Sequence, residues 1–327
     1  MIAPALLPTW VRDLPGVRLD EPISRHSQFG IGGPADAWLR VPDSKQLAEL
    51  LRRAADDGVP VTVLGAGSNT LVLDGGIRGI AVELADRHVR VVEPGQVVEL
   101  GGGAMMPRVA LDLAKQGLAG LEFGIGIPGT CGASVRGNAG AFGSEIVDVL
   151  VDCDVLTPRG EARMLTNAQC DFAYRRSAFT HGAMRGHVVT AARFTVHPDD
   201  AVEVRKRVDA ITAQRKASQP WGRRSLGSVF KNPPGDHAGR FVEACGLKGT
   251  RHGSAEISTK HANFILNAGS ATAADVLALV EHAHDIVLER FRVDLETEIV
   301  VLGEDAGGRP ATEAASPPSG RGESPQS

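Results

Sequence analysis

Leu47, Leu50, Leu51 and Ala54 recur at the three- and four-residue spacing of a single helix face, with polar residues between them. Asp43 or Ser44 stands where a cap belongs and Gly58 where a helix stops, so the pattern predicts a helix over 43–58. Val59 to Leu64 reads as a strand that runs into a glycine turn. Further strands are expected at 78–84, 88–93 and 96–101. A helix is expected from Pro107 to Lys115, with the proline in the first turn and Gly117 past the end. Alternating β-branched stretches at 147–156 and 187–197 flank a loop containing Tyr174-Arg175-Arg176-Ser177.

The character of the chain changes near 198–200. Asp199 and Asp200 open a helix over 201–217, and Thr272 with Asp275 forms a capping-box start for another over 273–291. Between them 226–268 is turn-rich, with a short strand at 263–267, and Glu298 to Leu302 forms a last strand. From Glu304 onward Pro, Gly, Ser, Ala and Glu dominate, a composition that cannot offset its ordering entropy and predicts a disordered tail. The expected organisation is an N-terminal extension over 1–19, a first domain over 20–198, a second over 199–303 and the tail over 304–327. No repeat of solenoid period is visible.

Two glycine-rich turns carry the first hint of chemistry: Leu64-Gly65-Ala66-Gly67-Ser68-Asn69-Thr70, and Gly126-Ile127-Pro128-Gly129-Thr130-Cys131-Gly132-Ala133-Ser134. Glycine admits positive φ and lets main-chain N–H groups converge on an anion, while Ser and Asn add hydrogen bonds, so the pair suits an extended phosphorylated ligand. The Gly65-Ala66-Gly67 turn is not a dinucleotide fingerprint. The third glycine would fall at Thr70, and Leu71 to Gly76 continues as strand and turn rather than as a long helix. No GK[ST] exists to form a lysine-bearing phosphate loop.

Composition narrows the classes. With 327 residues, 43% of them hydrophobic, the chain can bury a substantial core in two or three domains. No apolar run is long enough to span a bilayer, and the apolar Met1 to Pro8 lacks the basic flank of an export signal, so a cytoplasmic, membrane-free protein is expected. A net charge of −4 argues against a general nucleic-acid binder. Cys131, Cys153, Cys170 and Cys245 have no zinc-ligand spacing and are expected as reduced, mostly buried thiols; no metal is expected. His282 and His284 point to different helix faces, which favours structural or solvent-facing roles over a metal. From Gln214 to Asn232 the chain carries Arg215, Lys216, Arg223, Arg224 and Lys231 with no acidic residue. That run leads into Gly227-Ser228-Val229-Phe230-Lys231-Asn232-Pro233, which suits a small anion such as a diphosphate.

The motifs taken together resemble those of the bacterial UDP-N-acetylenolpyruvoylglucosamine reductases. The similar segments are Phe29 to Asp36, Leu64 to Val72, Gly120 to Phe123, Gly126 to Ser134, Asn138 to Gly143, Tyr174 to Ser177, Gly227 to Pro233, Ala244 to Gly249, Lys260 to Phe264 and Leu295 to Glu298. They occur in the family's order across residues 20 to 303. The resemblance implies an α+β protein: a two-lobed FAD-binding domain of the vanillyl-alcohol-oxidase (PCMH) type, split near 85, followed by a smaller α/β domain for the UDP-sugar. The short interval between Tyr174 and Gly227 is similar to the family's second type, which lacks an inserted substrate-covering loop. Two departures stand out: Glu298-Ile299-Val300 where the family usually has Glu-Val-Arg, and Ala133 where it often has a second glycine.

The reaction so implied is reduction of an enolpyruvyl ether attached to UDP-N-acetylglucosamine, with FAD as hydride carrier and NADPH as its reductant, by a chain expected to act as a monomer. FAD is assigned to Gly65, Ala66, Gly67, Ser68, Asn69, Thr70, Gly126, Pro128, Gly129, Gly132, Ala133 and Ser134. Hydride arriving at the β-carbon pushes charge onto the substrate carboxylate, so the enzyme needs a stabiliser for that charge and a proton for the α-carbon. The resemblance gives the first task to Arg175, whose planar guanidinium can pair with a carboxylate. It gives the second to Ser228 and places Glu298 beside the reacting carboxylate, with a raised pKa and a hydrogen to donate. Glu296, on the same face of the expected strand, is the competitor for that place. Lys231 and Asn232 are assigned to the substrate's phosphates and sugar. Two alternatives stay open on the residues: another flavin-dependent oxidoreductase of the same fold, and a flavin- or nucleotide-sugar-binding protein without catalysis.

Overall fold

The computed structural model describes residues 7–311. The helical face expected at 43–58 forms the helix Ser44–Asp56, whose first turn is capped by Asp43 accepting from the Gln46 N–H at 2.8 Å. Leu47, Leu50, Leu51 and Ala54 are buried. The three leucines pack on Ala37, Leu39, Val41, Ile80, Val82 and Leu84, the inward positions of a four-stranded sheet. Its order is Arg18–Pro22, Pro34–Val41, Ile77–Leu84, Val61–Leu64, antiparallel at the first pair and parallel at the others. Leu7 and Val11, from the expected N-terminal extension, are buried in the same core. Truncating one of the buried leucines to alanine is a change of about 2–5 kcal/mol in stability.

A second lobe begins past Leu84. Its antiparallel sheet runs in the order Ala162–Thr166, Leu150–Leu156, Val188–Thr195, Val97–Gly101, Val89–Glu93. The helices Met106–Lys115 and Cys131–Arg136 close one face over Val98, Leu100, Val155, Ala192 and Phe194. The thiols of Cys131, Cys153 and Cys170 are buried here and free; burial pushes the Cys131 pKa up. The helix Ala201–Ser218 packs on this lobe too: Val204 and Val208 meet Ala110, Ala114, Ala119 and Ile125. The change of character near 199 therefore precedes a helix that shares the second lobe's packing, and the new core starts after Ser218.

That core is built from the helices Ala238–Ala244 and Ala273–Phe291 and the three-stranded sheet Arg251–His252, Ala255–Ile257, Ile265–Asn267. It also takes in Phe29, Ile31, Leu71 and Leu73 from the first lobe. The strand Val300–Leu302 returns to pair in parallel with Thr70–Val72. This third core is thus stitched to the first lobe directly behind the first glycine turn.

The final strand is shorter than expected, since Glu298 precedes it. The expected tail is corrected at its start. Residues 304–311 fold back on the first lobe, with Gly75 N–H bonded to Glu304 O at 2.8 Å, Glu304 N–H to Gly76 O at 2.9 Å and Ala311 N–H to Gly303 O at 2.7 Å. The rest of the expected tail lies outside the described residues. Among the described residues no helix is long and apolar enough to cross a membrane, and no group of three or more His, Cys, Asp or Glu could hold a metal.

Candidate active site

The two glycine turns, far apart in sequence, face each other at the junction of the lobes. A Cβ on Gly65 would lie 3.0 Å from Thr130 Oγ1 and 3.1 Å from the Ala133 methyl, and one on Gly129 would lie 3.7 Å from Ser68 Oγ. Gly67 has φ +61, and a Cβ there would sit 2.9 Å from Ser27 Cα. The approach is therefore one that only glycine permits at 67. The methyl of Ala133, the family departure, fills the space that glycine leaves at 65. Among the described residues, the N–H groups of Ala66, Gly67 and Ser68 donate to no acceptor in the chain. All ten residues from Val61 to Thr70 are only half-buried although Val61–Leu64 is an apolar strand, so this edge of the first lobe is left open toward the second. Open donors, turns that glycines keep narrow and an uncovered apolar edge fit an extended nucleotide cofactor such as FAD.

The second turn divides into two kinds of residue. It opens the short helix Cys131–Arg136, capped by Thr130, an element too short to show a periodic pattern in the sequence. Gly132 N–H is bonded to Gly102 O at 2.9 Å, and the buried Ser134 hydroxyl donates to Thr130 O at 2.8 Å. These two hold the turn in shape, whereas Pro128, Thr130 and Ala133 are accessible.

The structure brings Arg175, Ser228 and Glu298 together beside this cradle. Arg175, at φ +53, donates from Nη2 to Gly140 O at 3.0 Å and from Nη1 to Asn138 O at 3.4 Å. Its Nε lies 3.0 Å from Glu298 Oε1. Glu298 arrives on a segment that pairs antiparallel with the serine-bearing turn: Glu298 N–H bonds to Val229 O and Lys231 N–H to Glu296 O, each at 2.8 Å. On the other side Asn69 Nδ2 donates to Glu298 O at 3.0 Å and Val300 N–H to Asn69 O at 2.9 Å. Asn69 of the first turn therefore grips the backbone of the glutamate. A Cβ on Gly227 would lie 3.8 Å from Ser68 O, so half-buried Ser228 follows a residue that approaches the cradle and precedes Val229, whose carbonyl bonds to Glu298 N–H.

Charge is concentrated here. Burial pushes the Glu298 carboxyl above its ordinary value, against the pull of Arg175 and Lys231. Lys231 is mostly buried and its ammonium pairs with Glu296, whose own side chain is 58% exposed. Glu298 is 18% exposed and meets Arg175, so of the two glutamates it is the one turned to the arginine. The Asn232 side-chain Oδ1 accepts from Ala238 N–H at 3.1 Å, and the Asn232 backbone N–H donates to Tyr174 Oη at 3.4 Å. Asn232 thus joins the serine turn to the helix Ala238–Ala244 on one side and to the arginine loop on the other.

Sequence reasoning left out one group that the site needs. Buried Asn138, at φ +43, accepts from Val147 N–H at 3.0 Å and donates to Glu145 Oε2 at 2.9 Å and to Ala173 O at 3.0 Å. It ties the Asn138–Gly143 loop to the residues just before Arg175. Its signal was its place in a similar segment; the long-range bonds that give it a task are not a sequence pattern. The basic run is looser than its composition suggests. Arg215 and Lys216 stack on exposed Trp221, and Arg224 lies over Gly30.

Comparison with known proteins agrees with this division. Residues 35–166 match the family model of an FAD binding domain, and residues 219–302 match that of the UDP-N-acetylenolpyruvoylglucosamine reductase C-terminal domain. The chain is 41% identical over 296 residues to UDP-N-acetylenolpyruvoylglucosamine reductase 2 of Symbiobacterium thermophilum, covering 90% of this chain and 95% of that one. It is 44% identical over 296 residues to the like-named protein of Rubrobacter xylanophilus, covering 90% and 98%. The crystal structure of UDP-N-acetylenolpyruvylglucosamine reductase from Thermus caldophilus matches with a TM-score of 0.74 at 35% identity, over 87% of this chain and 97% of that one.

Proposed function

The chain belongs to the UDP-N-acetylenolpyruvoylglucosamine reductase family, and from that premise we propose that Arg175, Ser228 and Glu298 perform the carbon-centred part of its reaction. The reaction is the reduction of UDP-N-acetylglucosamine enolpyruvate to UDP-N-acetylmuramate in peptidoglycan precursor synthesis. The residues of the two glycine turns would hold FAD, which when bound would supply the hydride chemistry of this reduction, with NADPH as the source of reducing equivalents.

The rest falls to the side chains. Arg175 is fixed from behind by the carbonyls of Asn138 and Gly140, so its guanidinium is pre-aimed at a carboxylate. Glu298 occupies the near side of that guanidinium. Its pKa, raised by burial against the pull of Arg175 and Lys231, makes protonation easier, and an arriving substrate carboxylate raises it further. The acid then donates a hydrogen bond to the substrate while Arg175 pairs with the same carboxylate. As negative charge moves onto that group, both contacts strengthen, which lowers the barrier rather than merely tightening binding. Ser228 hands its proton to the α-carbon; Lys231 and Arg175 stabilise the alkoxide until solvent reprotonates it. Lys231 and Asn232 border the place where the sugar phosphates enter.

The observation that carries this reading is the 3.0 Å pairing of Arg175 with Glu298, on a segment hydrogen-bonded to the turn that holds Ser228. We place the reaction in the cytoplasm, carried out by a monomer of the type without a covering loop. The test is product analysis. Incubated with NADPH and the enolpyruvyl UDP-sugar, the FAD-loaded protein should yield a product heavier by two hydrogens. Recovery of unchanged sugar while NADPH is consumed would point instead to a different flavin-dependent oxidoreductase.

A further inference from the structure

We propose that Asn263 is a positioning residue for this reaction, acting as a one-residue strand that holds Ser228 and Lys231 in register with Glu298. The proposal rests on the role given above to Ser228. The turn segment 229–231 is bonded on one edge to residues 296–298 through Val229 O and Lys231 N–H. Phe230, opposite Thr297, consequently turns its own N–H and C=O to the other edge. Among the described residues no strand lies there. Asn263 Oδ1 accepts from Phe230 N–H at 2.9 Å, and Asn263 Nδ2 donates to Phe230 O at 2.8 Å. Asn263 O also accepts from Val229 N–H at 2.9 Å. One residue thus supplies three hydrogen bonds to the two residues that follow Ser228.

Asn263 is itself held. It is 3% exposed. Ser258 Oγ accepts from the N–H groups of Lys260 and His261 at 3.2 and 3.4 Å, and Asn263 N–H donates to His261 Nδ1 at 3.2 Å. Burial and then Lys248 keep His261 below its ordinary pKa, which keeps Nδ1 available as an acceptor. The helix Ala238–Ala244 closes over the turn at Gly239, where a Cβ would lie 3.0 Å from the imidazole and 3.5 Å from Asn263 Cβ.

An amide is required because the side chain must accept and donate at once. An ionised carboxylate can only accept and would face Phe230 O with a lone pair; a protonated carboxyl offers one acceptor and one donor, as the amide does. Asn263→Asp is therefore a variant whose function is restored by acid. The charged or titratable groups around the position are His261, His237, Glu243 and Lys248 on its own side and Lys231, Glu296, Glu298 and Arg175 beyond Phe230. Their titrations occur in the parent chain as well and cancel in the ratio of variant to parent.

The experiment measures reoxidation of the reduced, FAD-loaded protein by the enolpyruvyl UDP-sugar for the parent, Asn263→Asp and Asn263→Ala between pH 5.5 and 8.5. Misplacement of the proton donor should slow N263D on the order of 100-fold at the alkaline end, with recovery to within about 3-fold of the parent at the acid end. N263A should be slow throughout, and reduction by NADPH should change less than about 3-fold in either variant. Parent-like N263D at every pH, or a loss that is the same at both ends, would overturn the proposal. If N263D cannot hold FAD at alkaline pH, thermal midpoints of the apoprotein take over. Its deficit against the parent must shrink on acidification, and a constant deficit would overturn the proposal. Failure of the parent itself to be reoxidised would instead sink the functional reading.

Discussion

Replacing Ser228 by alanine separates chemistry from structure because of how the serine sits. It is half-buried, and its hydroxyl bonds to no other group among the described residues. Its removal orphans no partner and opens no sizeable cavity, so stability should change by no more than about 0.5 kcal/mol. The backbone bonds on either side, from Val229 and Lys231 to Glu298 and Glu296, are untouched. The rate should fall nonetheless. Loss of a positioned acid is an effect of about 100-fold to 10,000-fold. The lower figure corresponds to about 2.7 kcal/mol on the barrier. In anaerobic stopped flow, Ser228→Ala should be bleached by NADPH at close to the parent rate while its reoxidation by the enolpyruvyl sugar slows at least ~100-fold. Equal slowing of both phases would refute the assignment, and so would a parent-like second phase.

Three further outcomes follow from the geometry. Gly67→Ala places a Cβ at positive φ and 2.9 Å from Ser27 Cα, so it should purify without FAD; Gly58→Ala, also at positive φ but with nothing within 4 Å, should cost only about 1–2 kcal/mol and stay yellow. Burial raises the Glu298 pKa, so its ionisation destabilises the folded chain as pH rises from the unfolded value of about 4.3 through the raised one. The thermal midpoint of apo Glu298→Gln should therefore gain on the parent with rising pH, and a difference, variant minus parent, that falls as pH rises would contradict the cause given. His284 is buried, which lowers its pKa, but Asp294 at 2.9 Å and Asp285 at 3.0 Å prevail and raise it. His284→Gln should lose about 1–3 kcal/mol below pH 6, and in chemical denaturation that loss should fade as pH climbs through the raised value.

The helices were legible because their signals are local. Leu47, Leu50, Leu51 and Ala54 mark a face within four turns, and Asp43, Asp200 and Thr272 cap the helices they precede. The family motifs carried Arg175, Ser228 and Glu298, which the fold gathers at one place. What the sequence hid is long-range. Residues 304–311 look like tail by composition, yet the peptide groups of Gly75 and Gly76 bond to Glu304. The helix Ala201–Ser218 packs backward on the second lobe because Val204 and Val208 find Ala110 and Ile125 there. Asn263 sat in a recognised motif, but only the turned-out peptide groups of Phe230 give its amide a task.

The central claim is that this chain passes hydride from NADPH to an enolpyruvyl UDP-sugar at the junction of the glycine cradle and the Arg175–Glu298 pair. It is tested most directly by following flavin absorbance through the two half-reactions in turn. NADPH should bleach the FAD-loaded protein without oxygen, and the enolpyruvyl UDP-sugar should then restore the oxidised spectrum where UDP-N-acetylglucosamine does not. A spectrum that stays bleached with the enolpyruvyl sugar would contradict the account.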